Sequence, residues 1–315
     1  MEISEMIKIT AAMVSELRQK TGVGILDCKK ALTECDGDIE ASVELLRKKG
    51  LAAAGKKAGR SAADGLVSAK VAADGKMGVV VEVNSETDFV ARNEQFQELT
   101  TNIANSALSF NGNLEAFKAS SYNNHNETVE AAVQNAIAVI GENIVLRRFA
   151  KLAAPAQGVV VNYVHNAVTQ GLGKIAVLVA LESTASQEKL AEIGKFLAMH
   201  IAAFAPEALT SAELSVDKVE TEKRVFKEQA LAAGKPEAVV DKMVEGRVRK
   251  YYQEVVLLEQ AFLTDNKKSV AEWLQEASKE CGAEVKIVSY VRYALGEGIE
   301  KQESDFAAEV AAMAS

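Results

Sequence analysis

The 315-residue sequence has no excess of basic residues, few cysteines and no long apolar run, and each shortage removes a class of function. Lys and Arg number 36 against 44 Asp and Glu, a formal charge of -8. Non-specific nucleic-acid binding needs a basic surface to displace counterions, so direct nucleic-acid contact is disfavoured and only a local basic patch would remain. Cys28, Cys35 and Cys281 form no Cys-x-x-Cys pair and give an odd count, which suits a reducing compartment and a packing role better than a disulfide framework. No stretch approaches the roughly 20 apolar residues of a membrane span. The start Met1-Glu2-Ile3-Ser4-Glu5 lacks a basic segment followed by an apolar core. The expectation is a soluble, cytoplasmic chain with no membrane partner.

Catalytic motifs are missing as well. Thr21-Gly22-Val23-Gly24 is followed by no Gly-Lys-Ser/Thr and preceded by no strand, so it does not read as a P-loop. There is no Gly-x-Ser-x-Gly elbow. His125, His165 and His200 lack metal-ligand spacing and nominate no dyad. The sequence therefore points to a binding protein with no metal, no cofactor and no catalytic residue of its own.

What is present is 48% hydrophobic content, enough for two or three cored domains. The chain is organised around Asn84-Ser85-Glu86-Thr87-Asp88-Phe89-Val90-Ala91-Arg92-Asn93. Upstream, Gly78-Val79-Val80-Val81-Glu82-Val83 reads as a buried strand; downstream, Phe96, Leu99, Ile103 and Ala107 recur at helical spacing. Ser85 with Asp88 fits a capping pattern, with Thr87 as a competing N-cap, so a helix is expected from about residue 86 with Asp88 and Phe89 in its first turn. Spacing alone favours structural roles for this pair: a carboxylate on the helix dipole and a ring extending the buried stripe.

The chain taken in order predicts an α+β protein. Residues 1–50 read as a three-helix module whose loop at Gly22 and Gly24 exposes Ile25 and Leu26. A unit so small leans on a partner. The Ala, Gly, Lys and Arg of 51–64 read as a solvated linker. Residues 65–152 give a hairpin turning at Ala73-Asp74-Gly75, then helices, then a strand from Asn143. Residues 153–215 repeat that pattern, with Gly171-Leu172-Gly173 as the turn, which predicts two similar subdomains side by side, each burying one sheet face under helices. The second copy has Ser183-Thr184-Ala185-Ser186 in place of the acid-ring stretch. A merely structural pair would less readily be lost from a repeat. Residues 216–260, broken at Gly234-Lys235-Pro236, predict a protruding antiparallel coiled coil. Residues 261–300 return to the core through a helix and a long strand, and 301–315 carry a final helix from Glu303 to Ala314.

The run Thr87-Asp88-Phe89-Val90-Ala91-Arg92-Asn93 resembles the signature segment of the elongation factor Ts family, guanine-nucleotide exchange factors of elongation factor Tu. The stretch from Thr21 to Leu32 resembles that family's ubiquitin-associated-like N-terminal domain, and Met243-Val244-Glu245-Gly246-Arg247 its coiled-coil arm. Gly296-Glu297-Gly298-Ile299-Glu300-Lys301 with Ser304–Val310 resembles its C-terminal module. The resemblance implies that elongation factor Tu is the partner, and leaves heterodimer and heterotetramer both open. It implies that Thr87, Asp88, Phe89 and Val90 disturb the partner's magnesium and phosphate site, and that Ile25, Leu26 and Lys29 dock on its GTPase domain. Ile140 and Gly141, in Ile140-Gly141-Glu142-Asn143, and His200, in Met199-His200-Ile201-Ala202-Ala203, are implied as further partner contacts.

Overall fold

The computed structural model describes residues 8–123 and 127–300. Helices α1 (Ala11–Thr21), α2 (Ile25–Glu34) and α3 (Ile39–Lys57) come first. Thr10 and Asp38 cap α1 and α3, each side chain accepting from the backbone N–H three residues on. Leu17, Cys28, Ala31, Leu32 and Leu46 fill the core the helices share. So small a core is marginal, and α3 supplies an anchor by running on past it. Residues 51–57, expected to belong to a linker, are the last turns of that helix. They pack against α6 (Val129–Ile140), with Ala54 buried in the core beyond. Gly50 permits the approach, since a Cβ there would stand 2.8 Å from that of Ala138. Contacts made by glycine and alanine carry little hydropathy, so the helical stripe fades from the sequence where the helices come closest.

Two like units follow. The first comprises β1 (Asp64–Val71), β2 (Met77–Ser85), α4 (Glu94–Ser109), α5 (Leu114–Lys118), α6 and β3 (Ile144–Ala153). The second opens with β4 (Gly158–His165), β5 (Leu172–Gly173), β6 (Ile175–Glu182) and α7 (Gln187–Phe204). It continues through α8 (Val216–Ala232), α9 (Glu237–Val255), β7 (Ala261–Phe262) and β8 (Asp265–Ser269), and closes with α10 (Val270–Cys281) and β9 (Lys286–Ala294). The pairs between these strands are antiparallel, in the orders β3-β2-β1-β5 and β4-β6-β9, with a small β7-β8 hairpin. Leu172–Gly173, expected as a turn, instead pairs with β1, Ser68 facing Leu172, so the second hairpin's connection extends the first sheet.

The duplication reaches beyond the hairpins. In both units a helix ends on a left-handed glycine, Gly141 after α6 and Gly282 after α10, and feeds a third strand onto the hairpin's outer edge. The register slips at matching places, Glu82/Val83 against β3 and Ala180/Leu181 against β9. The opening glycines match too: a Cβ on Gly65 would meet the Val83 carbonyl oxygen at 2.3 Å, and one on Gly158 that of Leu181 at 2.1 Å.

Both faces of each hairpin are buried, where sequence had suggested one. Leu66, Val79, Val81 and Val83 lie under α4 and α6; Val177, Val179 and Leu181 lie under α7 and α10. The opposite faces, Val67, Ala69 and Val80 on one sheet and Ala176, Leu178 and Ala180 on the other, pack together. The units are therefore stacked, helix–sheet–sheet–helix, and strands buried on both faces carry unbroken apolar runs such as Val79-Val80-Val81. The α8–α9 hairpin, turning at Gly234 (φ +71°), is inserted between α7 and α10 and zipped by Val219, Phe226, Val244, Val248 and Tyr251. The helix expected at Glu303–Ala314 lies outside the described residues.

One buried charge fastens the two sheets. The Glu82 carboxylate, fully buried, accepts from Arg147 Nη1 at 2.9 Å, Arg148 Nε at 2.5 Å, the Gly296 amide at 2.8 Å and Asn84 Nδ2 at 3.2 Å. Arg148 also lies 4.0 Å over the Tyr293 ring of β9. Burial pushes the carboxyl's pKa up, but the Gly296 amide, Arg148 and Arg147 together hold it below its ordinary 4.5. A lowered folded pKa gives stability that is complete above the unfolded value and lost as pH falls through the folded one.

Two outcomes follow for stability. Glu82→Gln lowers thermal stability at neutral pH by about 1–3 kcal/mol. The gap from wild type narrows as unfolding is followed from pH 5 towards pH 3, because the wild-type carboxylate then protonates as well. Gly50→Leu overpacks the α3–α6 contact at a cost of about 1–3 kcal/mol, seen as lower thermal stability and faster limited proteolysis within residues 58–63.

Candidate functional site

After β2 the chain does not enter a helix at once. Val90–Arg92 form a single 3-10 turn, and α4 begins at Glu94 under Asn93, whose Oδ1 accepts from the Gln95 and Phe96 amides at 2.9 and 3.3 Å. The expected caps, Ser85 and Thr87, are engaged elsewhere, Ser85 Oγ donating to the Thr87 carbonyl at 3.0 Å. The turn sends Val90 and Ala91 into the first core, 6% and 2% exposed. Val90 therefore anchors the loop to the core. Asp88 is exposed, and Phe89 is 75% exposed, which removes the buried-stripe role that spacing allowed.

Two carboxylates hold this loop by a crossed pair of contacts with the loop between α6 and β3. Glu142 Oε2 accepts from the Thr87 amide at 3.0 Å and Oε1 from the Thr87 hydroxyl at 2.6 Å. In return, Glu86 Oε1 accepts from the Asn143 amide at 2.6 Å and lies 3.5 Å from Arg60 Nη1. The Asn143 side chain donates to the Arg60 carbonyl at 2.7 Å. Residues 85–87 are thus fastened while the two that follow project.

The same contacts bring Ile140 and Gly141 beside the loop. Gly141 is exposed at φ +89°, reversing the chain as it leaves α6, and Ile140 is half-buried against the first core. The N-terminal module arrives at this end too. A Cβ on Gly22 would lie 3.5 Å from Gln95 Nε2 in the first turn of α4 and 3.7 Å from Val139 near the end of α6. Just beyond, Ile25 and Leu26 are 55% and 74% exposed on the first turn of α2, and Lys29 is exposed on the next. Thr87, Asp88, Phe89, Ile140, Gly141, Ile25, Leu26 and Lys29 therefore gather at one end of the molecule.

His200 does not join them. It sits on α7, fully buried, stacked against Phe204 at 4.7 Å and Phe262 at 5.7 Å between ring centroids. Its Nε2 is 2.9 Å from Gln260 Oε1. The Gln260 amide nitrogen donates to the Glu254 and Phe204 carbonyls at 2.7 and 3.3 Å, so its oxygen faces the ring and His200 Nε2 carries the proton. Burial lowers the His200 pKa, the Gln260 hydrogen bond opposing it, and the ring is neutral. The side chain expected to face a partner instead closes the joint between α7 and the foot of the α8–α9 hairpin. Phe204, 47% exposed, is the ring this joint leaves at the surface.

Sequence reasoning missed Glu86, Glu142 and Asn143 as the parts that position the loop. The quoted runs contained all three, but a contact spanning residues 86 and 143 has no local signature. Among the described residues no group of three or more His, Cys, Asp or Glu could hold a metal ion, and no helix is long and apolar enough to cross a membrane. What this end offers chemically is an exposed apolar surface, Phe89, Ile25 and Leu26, with Asp88 and Lys29 as charged neighbours.

The family model described as Elongation factor TS matches residues 86–297. The chain is 54% identical to elongation factor Ts of Rhodospirillum rubrum over 308 residues, 98% of this chain and 99% of that protein. It is 55% identical to elongation factor Ts of Rhodopseudomonas palustris and 52% to that of Bartonella henselae, each match covering 98% of this chain and 99% of the relative. These likenesses place it among the translation elongation factors. The chain belongs to the elongation factor Ts family.

The His200 joint has a direct consequence. His200→Phe keeps the aromatic packing but leaves the Gln260 oxygen buried without a donor, and thermal unfolding at pH 7.5 registers a loss of about 1–3 kcal/mol.

Proposed function

We propose that this protein is the guanine-nucleotide exchange factor of elongation factor Tu, binding the GDP form and promoting GDP release without covalent chemistry of its own. The observation that carries the reading is Phe89: a phenylalanine 75% exposed on a braced loop, within the residues that the elongation factor Ts family model matches. A lone exposed ring is ordinary on a surface, but one that follows a stretch, Ser85 to Thr87, held by four hydrogen bonds is presented. Ile25, Leu26 and Lys29 grip the partner's nucleotide-binding domain together with Ile140 and Gly141, and Phe89 enters beside the magnesium and phosphate site. Asp88 pairs with a partner group at the edge of the same contact.

The driving force is differential binding. Contacts available only when the partner's nucleotide site is open weaken GDP, and by reciprocity GDP weakens this protein's grip by the same factor. Transferring most of a phenyl ring out of water supplies about 1.5–3 kcal/mol, the scale of a typical coupling between two sites. Chemistry is unnecessary when the product is a released ligand.

The test is release of fluorescent GDP from elongation factor Tu, chased with excess GTP, in the presence of substoichiometric amounts of this protein. Wild type accelerates release, and Phe89→Ala reduces that acceleration on the order of 10- to 100-fold. Binding without acceleration would leave a docking protein with no effect on nucleotide.

A further inference from the structure

The duplicated fold contains its own control for the loop that carries Phe89. In both units a hairpin strand runs through a short loop into a helix, and a second helix ends on a left-handed glycine before the outer strand. Topology pairs Ser85-Glu86-Thr87-Asp88 with Ser183-Thr184-Ala185-Ser186, and Gly141-Glu142-Asn143 with Gly282-Ala283-Glu284. Thus Glu86, Thr87 and Glu142 stand where the second unit has Thr184, Ala185 and Ala283. That unit makes the same connection with Ser186 capping α7 and Ser183 Oγ accepting from the Ala185 amide at 3.1 Å. The crossed carboxylates are therefore not what the fold requires to pass from strand to helix.

Their geometry indicates what they do. Glu142 receives both polar groups of Thr87, amide and hydroxyl, on its two oxygens, and Glu86 returns the contact to the Asn143 amide. Such hydrogen bonds to ionised acceptors are about twice as strong as neutral ones. They fix the backbone one residue before Asp88 and two before Phe89, while Val90 and Ala91 fix it immediately after. Pinned on both sides, a two-residue projection has little conformational freedom left to lose when it enters a partner. Thr87, whose polar groups are both spent on Glu142, serves the same purpose and has no hydroxyl proton left to donate to a partner.

We infer that Glu86 and Glu142, acting through Thr87 and Asn143, are positioning residues that preorganise Phe89 for nucleotide exchange. The inference rests on the exchange reading above and adds that the ring works only when its loop is clamped. A flexible loop would still let the N-terminal module dock. Losing the clamp therefore lowers the maximal exchange rate more than it raises the concentration needed for half-maximal effect.

The experiment titrates full-length variants against elongation factor Tu loaded with fluorescent GDP, with thermal unfolding of each variant as the check on folding. Glu142→Ala is expected to lower the maximal release rate about tenfold, with a half-saturating concentration within about twofold of wild type. Thr87→Val, which removes only the hydroxyl, falls between the two, and Thr87→Ser, which restores it, returns to the wild-type rate. The deciding measurement is the double variant Glu142→Ala/Phe89→Ala. If the clamp acts through the ring, the double variant is no slower than Phe89→Ala alone. A wild-type rate for Glu142→Ala, or a double loss equal to the product of the single ones, overturns the inference while the exchange reading stands. A wild-type rate for Phe89→Ala itself overturns both.

Discussion

The close stacking of two hairpin sheets is the constraint on which the rest of the molecule depends. Gly78 marks how tight it is, since a Cβ there would come within 2.7 Å of Val160 and 3.0 Å of Leu178. The interlayer is built of small and branched side chains, Val67, Ala69, Val80, Ala176, Leu178 and Ala180. A packed interior of this kind is not continuously deformable, so the strands it holds are rigid mounts for whatever their ends carry. The two loops that make up the candidate site leave from the end of β2 and enter the start of β3, adjacent strands of one sheet.

Duplication then divides the labour. Both units solve the same packing problem, with matching bulges, opening glycines and helix-terminating glycines, so the loops at their ends are free to diverge. The first unit's loop became a clamped projection, and the N-terminal module was brought to it by α3, which packs on α6. The second unit accepted the α8–α9 hairpin between α7 and α10 and sealed its foot with His200 and Gln260.

Buried polar groups mark the joints between these parts. Glu82 sits where the second unit has Ala180, and its four partners draw the end of β9 onto β2 and β3. His200 and Gln260 join α7 to the base of the hairpin by three hydrogen bonds. A buried polar pairing favours one arrangement, since any other leaves the Glu82 charge or the Gln260 oxygen without its donors. In both places the orientation of one part against another is fixed by polar pairing as well as by apolar area.

The sequence alone determined the local structure, because that information is local. Valine runs made strands, Asp74-Gly75 made a hairpin, and period and glycine breaks placed α6, α7 and the α8–α9 hairpin. The family was legible in the stretch from Thr87 to Asn93, where residue identity itself carries the signal. Only the tertiary structure decided which faces met. It turned the first half of a supposed linker, residues 51–57, into the last turns of α3, held by Gly50 and Ala54, and stacked two subdomains that had been expected side by side. It also buried Val90 and His200, which resemblance had implied as partner contacts, and moved the helix start from Ser85 to Asn93. The exposure of Phe89 could not be read from spacing, since a ring at helical period is equally at home in a core. The loop that carries it is held by Glu86 and Glu142, whose partners lie more than fifty residues away in sequence and within hydrogen-bonding distance in space.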